Sequence, residues 1–290
     1  MIKRNRLGLY LFAAPALALY GGFFLLPAVQ GLRYATTDWD GYSPTFTEVG
    51  AANLTDVVSN DDLFRNALTN NLKFLLVVVV GQTLLALLLA VLLAARSRSS
   101  TLLRALFFLP TVLSSVSVAF IWKFVYDPNF GLANTLLQAV GLGRFQSAYL
   151  GEEGTAILWV AVAQIWFHAG QMMVIYIAGI NQIPAELYEA ARTDGAGRWQ
   201  QFRHVTWPMV APATALVIAY TTLQSFKAFD LILGLAGNPP RSSLDVLATR
   251  IYTTFANSHL GYAAAESIVF MVVIAVVTIL QNRAARMAHR

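Results

Sequence analysis

"FLLVVVVGQTLLALLLAVLLAA", residues 74–95, contains no Asp, Glu, Lys or Arg. A helix needs about 20 mainly apolar residues to cross the hydrocarbon core of a bilayer, and this stretch supplies them. Residues 7–32, 105–122, 155–185 and 205–226 are equally free of charge, and 262–281 is interrupted only by Glu266 near its start. The 290 residues are 57% hydrophobic and 12% charged, whereas charged residues make up about a quarter of a soluble domain. The surplus apolar surface needs lipid. A segment in lipid must satisfy its own backbone, and the alternating pattern of a β-barrel is absent. The expected fold class is therefore an all-α polytopic membrane protein with six transmembrane helices.

The first apolar run follows "MIKRNR" and contains "ALA" at residues 16–18, as a cleavable signal would. Its length and the five runs after it favour an uncleaved anchor. Cysteine is absent, which removes disulfides and thiolate metal sites and leaves the redox compartment unread. Charge gives the orientation. Residues 1–6, 96–104, 186–204 and the tail from Arg283 hold 12 of the 20 Lys and Arg but only 3 of the 15 Asp and Glu. By the positive-inside tendency these segments, and with them both termini, are cytoplasmic. The net charge of +5 then speaks for anionic lipid headgroups and not for nucleic acid.

That topology puts "YEAARTDGAGRWQQFRHVTWP" (188–208) on the cytoplasmic side, in the one inner loop long enough to fold. Pro184 suits the first turn of a helix, Glu186 and Glu189 favour its positive end, and Leu187, Ala190 and Ala191 share one face. Asp194 can cap a following helix, while Gly195 and Gly197 permit a bend. Trp199 and Phe202 give that second helix an apolar stripe, and Pro208 ends or kinks it. Small residues at such a corner let another protein approach. The competing reading is an amphipathic helix lying on the bilayer with Trp199 and Phe202 as anchors. Three acids balance three arginines here, which favours docking, since surface-seeking helices are usually rich in Lys and Arg.

"ELYEAARTDGAGRWQQFRHVTWPMVAP" resembles the EAA loop of binding-protein-dependent ABC importer permeases, with Glu-Ala-Ala at 189–191 and Gly195 four residues on. "RALFFLPTVLSSVSVAFIWKFVYDPNFGLAN" (104–134), "AGINQIPAELYEAA" and "SFKAFDLI" (225–232) are similar to the sugar-importer branch, which includes maltose-type components. The resemblance implies one permease domain over 1–290, with 184–208 as the coupling loop. Glu189, Ala190, Ala191, Asp194, Gly195 and Ala196 would fit a groove in a cytoplasmic ATPase. It also implies a second, non-identical permease, two ATPase subunits, an external solute-binding protein and a bacterial or archaeal cytoplasmic membrane. "LAGNPPRSSLD" (235–245) departs from the glycine-rich turn of this branch. Pro239 and Pro240 stiffen that outer loop, on the side where the resemblance implies contact with the binding protein.

No Lys follows a Gly, so a phosphate-cradling G-x-x-x-x-G-K-[ST] loop is absent, as is an H-E-x-x-H metal pair. The chain is expected to bind no cofactor or metal. ATP and Mg would act on the partner ATPase. No cluster of acids, bases or ligands marks it as an enzyme. Lys227 and Asp230 are spaced to pair with each other, and Glu266 is expected at the outer boundary against water, with a proton relay as the other reading.

Gln164, His168 and Gln171 fall at i, i+4 and i+7 in the fourth apolar run, and Tyr220, Gln224 and Lys227 repeat that spacing in the fifth. Amides and a phenol suit the hydroxyls of a sugar, and Trp159 or Trp166 could stack on its C–H face. The same groups could instead hydrogen-bond neighbouring helices as glue. Ser114, Ser115 and Ser117 are weaker candidates. The leading reading is a permease half of an ATP-driven carbohydrate importer. A secondary transporter with broken spans, which the sequence does not announce, and a non-transport scaffold are the alternatives.

Overall fold

A computed structural model describes residues 6–95 and 97–288. Residues 1–5, 96, 289 and 290, which carry part of the basic clusters counted above, lie outside the described residues. In chain order the helices are α1 (Arg6–Tyr20), α2 (Leu26–Tyr34), α3 (Ala52–Ser59), α4 (Asp62–Leu93), α5 (Arg98–Phe108), α6 (Ser115–Val125), α7 (Leu132–Ala139) and α8 (Ala156–Ile180). There follow α9 (Ala185–Thr193), α10 (Arg198–Gln201), α11 (Trp207–Met209), α12 (Ala211–Phe226), α13 (Asp230–Ala236), α14 (Leu247–Ala256) and α15 (Leu260–Ala288). Apart from one isolated bridge, Thr37 with Glu48, regular structure among the described residues is helical.

Four helical segments are long and apolar enough to cross a bilayer: Phe12–Tyr34, Asp62–Leu93, Ala156–Ile180 and Leu260–Gln281. The other two apolar runs are bent pairs: a break near Pro208 is expected, whereas the bend in the run 105–122 departs from the unbroken span expected there. Arg98–Val112 and Ser115–Val125 meet at 102°, and Arg198–Met209 and Ala211–Phe226 at 64°. The first bend has a local cause. Leu109–Val112 tightens into a 3₁₀ turn around Pro110, Leu113 is extended, and Ser114 Oγ accepts a hydrogen bond from the Ser117 amide to start α6. At the second, Val210 leaves helical geometry (φ −85°, ψ 2°) between Pro208 and Pro212, which cannot donate backbone hydrogen bonds.

The described residues form two compact units. In the unit of residues 6–64 and 250–273, the side chains described on 12–34 are mostly exposed, Phe12 and Phe23 among them. After α2 the rings of Tyr34 and Trp39 lie 4.3 Å apart, and Asn53 Nδ2 donates to the carbonyls of Ala35 and Thr37. Asp40 accepts the amides of Tyr42 and Ser43 and the Ser43 hydroxyl; these bonds, those of Ser43 foremost, hold its carboxyl down at about 2.

Glu266 in this unit corrects an expectation. It is fully buried, not in contact with water. Arg250 Nε of α14 donates to its Oε1 at 3.2 Å, and the same guanidinium lies 3.6 Å from Asp61. The acid is thus answered by a cation from another helix. Arg250→Met is expected to destabilise the protein by about 3–5 kcal/mol, because it leaves a buried charge uncompensated. Adding Glu266→Gln should recover most of that loss. Thermal unfolding in detergent checks both; equal melting temperatures for Arg250→Met and wild type would sink the ion-pair account.

The unit of residues 65–249 (without Arg96) and 274–288 is built on α8. Its buried residues include Ala161, Ala163, Ala169 and Gly170, small enough for neighbours to come close. One core joins α8 to α4, α6 and α13 through Phe74, Val78, Ala119, Val160 and Ile232; another joins it to the loop and α12 through Met172, Tyr176, Ile183 and Val217. At Gly170 the α8 backbone touches that of Phe107 and Phe108, so that a Cβ there would overlap the Phe107 carbonyl. Asn66 and Asn70 of α4 donate to the carbonyl of Ser242, and Asn70 also to that of Asp245. These bonds tether the segment after Pro239, whose peptide bond with Asn238 is cis.

Candidate functional site

A cavity of about 290 Å³ in the second unit is lined by Ser115, Gln164, Phe167, His168, Tyr220, Leu223 and Gln224, with Lys227, Phe229 and Asp230 among the others. Gln164 and His168 of α8 therefore do face Tyr220 and Gln224 of α12. Gln171 does not line the cavity; its Nε2 donates to Tyr220 Oη at 3.2 Å and so holds the phenol in place. His168 Nδ1 and Gln224 Oε1 are buried without a hydrogen-bond partner. A buried polar atom left so is normally matched by water or a ligand. Gln171 takes the glue role between α8 and α12, as Gln82 does between α4 and α12 with its Nε2 donating to Thr221 Oγ1.

Three sequence expectations are corrected here. No ion pair joins Lys227 and Asp230 among the described residues, because α12 ends at Phe226 and a new helix, α13, starts at Asp230, so the i,i+3 geometry does not exist. Trp159 and Trp166 do not line the cavity. Trp159 sits against the rings of Tyr126 and Tyr149, and Trp166 is edge-on to Trp122 at 5.7 Å. The rings at the cavity are Phe167, Tyr220 and Phe229. Ser114 and Ser117 are spent on capping α6, which leaves Ser115 as the lining serine. Phe229 and Asp230 were hidden from sequence reasoning, since only the break between α12 and α13 brings them to the cavity.

The corner between α9 and α10 is the second candidate. Glu189, Ala190, Asp194 and Gly195 are exposed, and Ala191 and Ala196 half-buried. Of the face shared by Leu187, Ala190 and Ala191, the first two are exposed; Tyr188 ties α9 down, its hydroxyl 2.9 Å from Thr206 Oγ1. Pro184 is the residue before the helix, not within its first turn. Asp194 closes α9 and does not cap α10. Gly195 turns the chain with φ +81°, and Gly197 opens α10 with its amide donating to Gln200 Oε1 at 2.7 Å. A Cβ at Gly195 would meet nothing within 4 Å. The corner therefore presents a free outer surface, and a positive φ that glycine adopts without strain.

No group of three or more His, Cys, Asp or Glu able to hold a metal occurs among the described residues.

Comparison with known proteins identifies the frame around both candidates. The chain is 34% identical over 286 residues to the probable ABC transporter permease protein YurN of Bacillus subtilis, covering 98% of this chain and 97% of that one. It is 31% identical over 280 residues to AmyD of Thermoanaerobacterium thermosulfurigenes, a probable starch degradation products transport system permease, covering 96% and 94%. A solved bacterial ABC transporter involved in the import of the acidic polysaccharide alginate superposes with a TM-score of 0.84 at 25% identity, over 100% of this chain and 98% of that chain. Residues 82–288 match the model of the binding-protein-dependent transport system inner membrane component, and the chain belongs to that family.

Proposed function

We propose that the chain is the membrane-embedded half of an ATP-driven importer that passes a carbohydrate from an external binding protein to the cell interior. It is a transport subunit and not an enzyme. The observation that carries the substrate class is the cavity, whose lining gathers two amides, an imidazole, a phenol and a serine hydroxyl. Sugar hydroxyls both donate and accept, so several of them on one sugar suit such a set. Relatives named for starch products and for alginate support the same class.

In this reading the first bent pair is one span and α12 of the second pair is another, which gives six spans and one permease domain over 1–290. The basic segments place both termini and the α9–α10 corner in the cytoplasm. Glu189, Ala190, Ala191, Asp194, Gly195 and Ala196 then form the surface that meets an ATPase, which binds the ATP and Mg this chain needs no site for. Gln164, His168, Tyr220 and Gln224 face the substrate, with Gln171 positioning Tyr220. A cavity this small encloses no path by itself. A second, non-identical permease supplies the other wall, and two ATPase subunits sit beneath. Mass measurement of the detergent-extracted complex tests this: a transport-competent homodimer with no other permease contradicts it.

The two glutamines separate substrate contact from packing. Gln224→Leu removes an acceptor that no group among the described residues uses, so uptake should weaken by several-fold or change sugar preference while the melting temperature holds. Gln171→Leu breaks the bond to Tyr220, and should lower stability by about 0.5–1.5 kcal/mol as well as impair uptake. The same destabilisation in both, with unaltered selectivity, would assign the pair to packing.

A further inference from the structure

Between α4 and the loop lies a cavity of about 690 Å³ that the transport reading leaves unused. It is lined by Leu84, Leu87, Leu88 and Val91 of α4, by Trp199, Phe202 and Trp207, and by Arg198 and Arg203. Leu84, Leu88 and Val91 are exposed on it, as are both tryptophans and both arginines. Phe202 stacks on Trp199 with ring centres 5.4 Å apart and fixes that wall. No hydrogen bond or ion pair engages the guanidinium of Arg198 or Arg203 among the described residues.

We propose that this cavity is a binding site for one anionic phospholipid, its acyl chain along Leu84, Leu88 and Val91 and its phosphate held by Arg198 and Arg203. The inference rests on the cytoplasmic placement of the α9–α10 corner. Two features select this occupant. The leucines belong to the charge-free run 74–95 and so lie at hydrocarbon depth, where lipid tails and other membrane helices are the available neighbours. A neighbouring membrane helix would cover the leucines but would still have to supply an acid of its own at the level of the arginines. A phospholipid carries phosphate and tail already joined, at the level where tryptophans belong. The guanidinium fork matches phosphate oxygens in pairs. A lipid so held ties α4 to the segment that leads from the ATPase corner into α12, so anionic lipid content would tune coupling.

Native mass spectrometry of the purified, assembled importer, offered phosphatidylglycerol or phosphatidylcholine of the same chain length, tests the site. Wild type should retain phosphatidylglycerol preferentially. Arg198→Ala with Arg203→Ala should lose about thirtyfold in that retention, equivalent to about 2 kcal/mol at 1.4 kcal/mol per tenfold. Arg144→Ala, a loss of charge elsewhere, should retain it. Leu88→Trp keeps both arginines but fills the cavity, and should also lose the lipid; unchanged retention there would show an anion-attracting surface and overturn the seat. Equal retention of both lipids by wild type would overturn the proposal, as would efficient crosslinking from position 199 to another subunit. The spectra report the ATPase subunits separately, so an importer that assembles but holds no lipid fails this proposal alone, and one without ATPase fails the functional reading.

Discussion

Gly195→Leu is expected to cut uptake tenfold or more while the protein reaches the membrane at its normal level. The side chain would point into open space in the isolated chain, so the fold has room for it. Two costs remain. A φ of +81° strains a residue with a Cβ by about 1–2 kcal/mol, enough for roughly a tenfold change by itself. Leucine also occupies the space into which the proposed ATPase groove must fit. Gly195→Asn separates these costs, since Asn tolerates the left-handed region better than other side chains but still adds bulk; Gly195→Ala adds strain with little bulk. Uptake lost in the Asn variant and kept in the Ala variant would assign the effect to contact with the partner. Full uptake by Gly195→Leu with the ATPase bound would remove the docking role from this residue.

A change in the opposite kind of place, Gly170→Val, should be felt in the fold before it is felt in transport. No Cβ fits between the α8 backbone and those of Phe107 and Phe108. The obstruction is main chain, not a flexible side chain, so α5 and the turn after it must move. Overpacking of this kind costs about 1–3 kcal/mol, and valine should reach or pass the upper end. A lower melting temperature and a poor yield of assembled complex are expected. Gly154→Ala, where a Cβ meets nothing within 4 Å, serves as the neutral control. If Gly170→Val melted with wild type, the close approach of α8 to the bent pair would be wrong.

The apolar runs were legible because their signal is one of length and missing charge, which lipid imposes on any spanning helix. The bends were less so. Pro110, Pro208 and Pro212 are visible as residues, but a proline in an apolar run is compatible with a mild kink as well as with a 102° break; the N-cap at Ser114 and the extended Leu113 decide between them. In the cavity, the i, i+4, i+7 spacing brought Gln164 and His168 to the right face. It could not show that Gln171 would turn to Tyr220, since that depends on the crossing of α8 and α12. Glu266 was misplaced for a related reason: local sequence gives the cost of its burial, while Arg250 sixteen residues earlier supplies the compensation. The corner at Gly195 was legible as a turn because glycine there has a conformational meaning, but Asp194, expected to cap the second helix, closes the first, and Gly197 opens the second.

Two bent helix pairs are also what a secondary transporter would use, so the energy source is the central claim to test. The direct measurement is uptake of labelled oligosaccharide into vesicles that carry this chain with its co-purified permease and ATPase subunits, the loaded binding protein outside and ATP inside. Uptake is predicted to require enclosed ATP and the binding protein together, and to survive dissipation of every ion gradient; uptake that continues without ATP and collapses with an ion gradient would contradict the account.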